Sequence, residues 1–163
     1  MNGWMLTGLI VVGVIVVIVK RLTGEPLNAR DLLGPPVVLT AIGGYAVAKV
    51  DHLTATDIGW LALGSVVGLG FGALRGTTIR LFTKDGVLWQ RYSGRTFLVW
   101  VISLAGNGGL DLLAKANGMH HEARPTTLAI GISLLGEAVV VGLRAHATKV
   151  PFAPERRVGS WRQ

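Results

Sequence analysis

The 163-residue chain contains no cysteine. Disulfide staples, thiol nucleophiles, CxxC redox pairs and thiolate-held zinc or iron–sulfur centres are therefore excluded. Charge is also scarce: Asp, Glu, Lys and Arg make up 15% of the residues, against about 25% in a typical soluble domain. Acidic residues are the rarest charged class, nine against sixteen Lys and Arg, which leaves a net charge of +7. The charge deficit, set beside long apolar runs, excludes an ordinary cytosolic globule and a disordered tail. In a soluble protein a basic excess would point to nucleic acid. In a membrane protein it marks the cytoplasmic loops, and nucleic acid is not an expected partner here.

What is present is apolar and small. Half the residues are hydrophobic, 23 are glycine, and the mean hydropathy is +0.52. Five apolar segments stand out at 3–19, 35–50, 58–74, 96–113 and 125–143. Each is slightly shorter than the roughly 20 residues that cross a hydrocarbon core, so flanking Trp, Lys and Arg complete the spans at the interface. The first has no basic residue before it and Lys20-Arg21 directly after it, the pattern of a retained anchor and not of a cleaved leader. The second opens on Pro35-Pro36, where missing amides are tolerated at a helix start.

The loops between these segments divide by charge. Lys20, Arg21, Arg30, Arg75, Arg80, Lys84, Arg91, Arg95, Arg144, Lys149, Arg156, Arg157 and Arg162 fall on one side, and Lys49, Lys115 and Arg124 on the other. The positive-inside rule then places the N-terminus outside and the C-terminus inside the cytoplasmic membrane. The expected fold is an all-α membrane protein: a single five-helix transmembrane domain over 1–163. It carries one cytoplasmic β-hairpin at 77–92, between the third and fourth spans, and a basic C-terminal tail at 144–163 lying along the membrane surface.

Three features invite a functional reading. Gly64, Gly68 and Gly72 recur every four residues and form a ridge for close helix packing, within one bundle or as a homodimer seam. In the hairpin, Asp85-Gly86 favours a tight turn that sets Arg80 opposite Arg91 and Phe82 opposite Trp89 on one face. Facing arginines repel unless an anion lies between them. Anionic phospholipid at the cytoplasmic face supplies one, and a solvated basic loop is the simpler alternative. The third feature is intramembrane polarity. Ser103, Asn107 and Asp111 form a stripe on the fourth span, and Ser133 and Glu137 lie on the fifth. Counted from the outer loop at about 1.5 Å per residue, Glu137 is roughly 18 Å deep and level with Ser103. No Lys or Arg lies at matching depth in any span, so Glu137 is expected to be neutral and turned toward the fourth span.

Other patterns carry less. His120-His121-Glu122 lacks a second ligand set at metal-binding spacing, so no metal is assigned. Gly106-Asn107-Gly108-Gly109 is not a phosphate loop, because no lysine follows it. No catalytic set and no cofactor are expected.

The chain resembles the CcdC-like family of small bacterial membrane proteins over residues 5–145. The resemblance rests on the basic loop KRLTGEPLNAR, the following LLGPPVVLTAIG, the span LGSVVGLGFGALRGTTIRLF running into K-D-G-V-L-W, and RTFLVWVISLAG. It implies a multi-pass protein loosely connected with cytochrome c biogenesis, and a chain without thiols would serve there only as an accessory. Three function classes follow: an accessory or interaction protein, with a membrane-protein partner; a small proton- or cation-coupled carrier using Glu137; and a membrane enzyme acting on lipid through Arg80, Arg91 and Glu137.

Overall fold

The computed structural model describes Val19, residues 22–120 and residues 123–154. The apolar segment at 3–19 falls, apart from Val19, outside the described residues, as do His121, Glu122 and the end of the tail. Four described helices are long and apolar enough to cross a membrane: α1 (Ala29–Ala48), α2 (Ala55–Thr78), α3 (Gly94–Ala116) and α4 (Thr126–Ala147). They have 20, 24, 23 and 22 residues, or about 30–36 Å at 1.5 Å per residue, enough for a hydrocarbon core of roughly 30 Å. Their outer surfaces are apolar: Val38, Leu63, Leu104, Leu112 and Leu143 are all exposed. The chain is a multi-pass membrane protein in its architecture.

Every described helix is longer than its apolar segment, because polar residues at the ends belong to the terminal turns. α1 begins at Ala29, six residues before Pro35, under an Asn28 cap that accepts from the Arg30 amide at 2.9 Å. Pro35-Pro36 therefore lies inside the helix and does not start it. α2 is opened by a capping box in which Thr54 and Asp57 exchange bonds. It runs through Arg75 to Thr78, past the expected end at Leu74. α4 continues to Ala147, so Arg144 belongs to its last turn and not to the tail. Arg144 Nη1 donates to the carbonyls of Gly76 and Ile79 at 2.7 and 2.8 Å, closing the C-terminus of α2.

The hairpin forms as the turn pair dictates. Asp85 and Gly86 both have positive φ, 53° and 75°, the signature of a type I′ turn. β2 (Arg80–Lys84) and β3 (Val87–Arg91) pair with Arg80 opposite Arg91 and Phe82 opposite Trp89. A third strand, β1 (Glu25–Pro26), lies on the other side of β3 and gives the order β1-β3-β2. Leu88 and Gln90 turn inward, and Leu88 joins Leu27, Ile79, Val141 and Ala145 in an apolar cluster between sheet and bundle. A second cluster, Ala114, Met119 and Ala123, closes the opposite end beneath Trp60 and Leu53.

α4 is the hub of the bundle. It packs on both α2 and α1, and α2 also packs on α3. α3 and α4 do not pack closely on each other, although a short loop connects them. The close packing of the fifth span on the fourth that a Glu137 turned toward the fourth span requires is therefore absent among the described residues.

Candidate functional site

The site begins with the crossing of α2 and α4, which run in the same direction. At Gly72 a Cβ would collide with the Ser133 carbonyl oxygen, and at Gly76 it would lie 2.9 Å from the Glu137 carbonyl oxygen. Gly68 meets Ile132 at 3.7 Å. The glycine ridge thus faces α4 of the same chain over Gly68 and Gly72. Gly64 serves otherwise: the Arg124 guanidinium lies over it, 2.7 Å from where a Cβ would sit.

This close approach brings Arg75 against Glu137. Arg75 Nε donates to Glu137 Oε2, forming an ion pair with residues only 4% and 5% exposed. The Tyr92 hydroxyl, just past β3, donates to Glu137 Oε1 at 2.5 Å. Arg75 Nη2 also lies 3.5 Å from both the carbonyl and hydroxyl oxygens of Ser133. The expectation of a neutral Glu137 turned toward 96–113 is overturned. Its partners are a guanidinium from α2 and a phenol beside the sheet. In the sequence Arg75 falls among the loop residues, because a basic side chain ends the apolar run. α2 in fact carries it into the interior.

The other intramembrane polar residues gather on one groove. Ser103, Asn107 and Asp111 of α3 line it together with Arg75, Arg124 and Ser133, in a volume of about 520 Å³ between α3 and α4. Asn107 bridges the groove: its Nδ2 donates to the Ser103 carbonyl at 2.9 Å and its Oδ1 accepts from Arg124 Nη2 at 3.1 Å. Asp111 pairs with Lys115 one turn on at 2.6 Å, at the end away from the sheet. The stripe read from the sequence is therefore present and polar, but it faces a groove and not Glu137.

Behind the ion pair, at the sheet end, lies a second cavity of about 330 Å³. Glu137 lines it with Glu25, Asp31 and Gln90, and Leu134 is common to both cavities.

At the opposite end, Asp57 is buried and fully bonded. It accepts from the Thr54 amide and hydroxyl at 2.9 and 2.7 Å, and from the His120 amide and Nδ1 at 2.8 and 2.9 Å. His120 is thus a latch between the α3–α4 loop and α2. Among the described residues no group of three His, Asp or Glu is placed to hold a metal ion.

On the outward face of the sheet, Arg80, Arg91 and Phe82 are exposed, and Lys84 Nζ sits 4.6 Å from the Trp89 ring centroid. The Phe82 and Trp89 centroids are 6.3 Å apart. This face is opposite the one that carries Leu88 and Gln90, and the chain at Gly24 runs beside it, close to Phe82 and Arg91. The structure does not bring Arg80 and Arg91 together with Glu137, as a lipid-processing enzyme using all three would need.

Comparison with known proteins finds no matching family model, no matching curated protein and no matching solved structure.

Proposed function

We propose that the chain is a five-span protein of the cytoplasmic membrane, N-terminus outside and C-terminus inside, acting as an accessory or interaction protein that docks its sheet on anionic phospholipid. The observation that carries this reading is the outward sheet face: two arginines directly opposite each other beside two aromatic rings. Facing like charges in a sheet destabilise it, and a phosphate between them removes that cost while Phe82 and Trp89 enter the interface. Charge placement supports the orientation. Arg30, Arg75, Arg80, Lys84, Arg91, Arg95, Arg144 and Lys149 lie at the sheet end, and only Lys49, Lys115 and Arg124 of the described basic residues lie at the other. The CcdC-like resemblance accords with a part in membrane-protein or cytochrome assembly.

The test is Arg80→Ala with Arg91→Ala. At about 1 kcal/mol per basic residue near an anionic surface, the double change weakens retention of anionic lipid by about tenfold or more. Insertion and yield stay unchanged. Unaltered lipid content by mass spectrometry of the purified protein would reduce the sheet to a solvated loop.

A further inference from the structure

Beyond docking on headgroups, and independently of it, we propose that the bundle carries protons, with Glu137 as the carrier and the Arg75–Glu137 pair as the partition between two half-paths. The pair lies where the two cavities meet: Arg75 walls the groove between α3 and α4, and Glu137 walls the cavity at the sheet end. The groove leads from Asp111, Lys115 and Arg124 past Asn107 and Ser103 to Arg75. These polar groups follow one another along α3 from Lys115 to Ser103, in a groove otherwise lined by apolar side chains such as Trp100, Leu104 and Ile130.

The sheet-end cavity carries its own signs of a hydrated, cation-favouring lining. Gln90 is 7% exposed, and its Oε1 has no hydrogen-bond partner among the described residues. A buried carbonyl oxygen left without a donor is costly, and water or hydronium in the cavity supplies one. Pro35 and Pro36 also line this cavity. They offer no amide hydrogen to the carbonyls of Asp31 and Leu32, four residues earlier, and both of those residues line it too. Irregular helix backbone at membrane depth is tolerated where it borders a water-filled space.

The groups facing Glu137 are Arg75 from α2 and the Tyr92 hydroxyl, with Gln90 of β3, Glu25 of β1 and Asp31 of α1 around the cavity. The step is a proton transfer alone. Hydronium in the sheet-end cavity gives a proton to a carboxylate oxygen of Glu137 and is left as water. The neutral acid no longer holds Arg75, whose guanidinium keeps its charge and turns toward Ser133 and the groove. At rest Glu137 lines only the sheet-end cavity; once Arg75 has moved, its carboxyl opens to the groove and releases the same proton to a water there, and the ion pair re-forms.

The test uses the purified full chain in liposomes with an entrapped pH dye and a valinomycin-imposed potassium diffusion potential. The wild type acidifies the lumen faster than protein-free vesicles do, and Glu137→Gln returns the rate to that background. Because Glu137→Gln leaves Arg75 unpaired, Gly108→Phe provides the second arm. Gly108 lines the groove, and a Cβ there meets nothing within 4 Å. Filling this space preserves the fold and lowers proton flux at least tenfold. Gly44→Phe, equally open but lining neither cavity, leaves flux unchanged. A wild-type rate equal to protein-free vesicles overturns the proposal. So does wild-type flux in folded Gly108→Phe, or sodium or potassium current without proton movement.

Discussion

Arg75 and Glu137 are 62 positions apart in the chain, yet they form a buried ion pair where the last turn of α2 packs on α4. The pair exists because α2 presents glycine at 72 and 76, where its backbone must approach that of α4. Tyr92 then ties the same carboxylate to the sheet, so one side chain of α4 holds a second helix and the hairpin at once.

The glycines of α2 are not equivalent. Gly72→Ala drives a methyl into the backbone of Ser133, where neither helix has a flexible group to move aside. Gly68→Ala meets only ordinary van der Waals distances. It also removes the entropic cost of a helical glycine, about 0.5–1 kcal/mol. Thermal unfolding in mild detergent is expected to show a large loss for Gly72→Ala, and no loss or a slight gain for Gly68→Ala.

Much of this was legible in the sequence. The apolar runs located α1 to α4, and the Asp85-Gly86 turn with its alternating flanks fixed the register of β2 and β3 residue by residue. Three of the misplaced helix ends share one cause: a charged residue ends the apolar run before it ends the helix. Asp57, Arg75 and Arg144 each lie inside a terminal turn, because each has a partner that an apolar-run reading does not see. Pairing Arg75 with Glu137 requires knowing that α2 and α4 cross at Gly72, and the four-residue glycine spacing names no partner helix. β1 is two residues long and left no periodicity to read. The spacing of Thr54 and Asp57, by contrast, does carry a capping-box signal.

At the end away from the sheet, Asp57 and His120 make unequal contributions. Asp57→Ala removes all four acceptor bonds and lowers the unfolding midpoint by several degrees. His120→Ala removes only the ring contact, because the His120 amide still donates to Oδ1, and lowers it by clearly less. Thermal scans of the two variants under one detergent condition check the order.

The proposed orientation is open to direct labelling, since the chain has no native cysteine to interfere. Single cysteines replacing Asn2 and Ser160 are expected to differ. An impermeant thiol reagent on intact cells labels the first and leaves the second unlabelled until the membrane is opened. Equal labelling of both contradicts an odd number of spans.

The account depends most on Arg75 and Glu137 being a charged pair, each requiring the other. Removing one partner of a buried ion pair costs about 3–5 kcal/mol, whereas replacing both by apolar groups of similar volume is often neutral. The measurement is a thermal double-mutant cycle of Arg75→Met, Glu137→Leu and the two combined. Each single change is expected to lower the midpoint by on the order of 10 °C, and the combination to recover most of that loss. Losses that simply add would contradict the pairing.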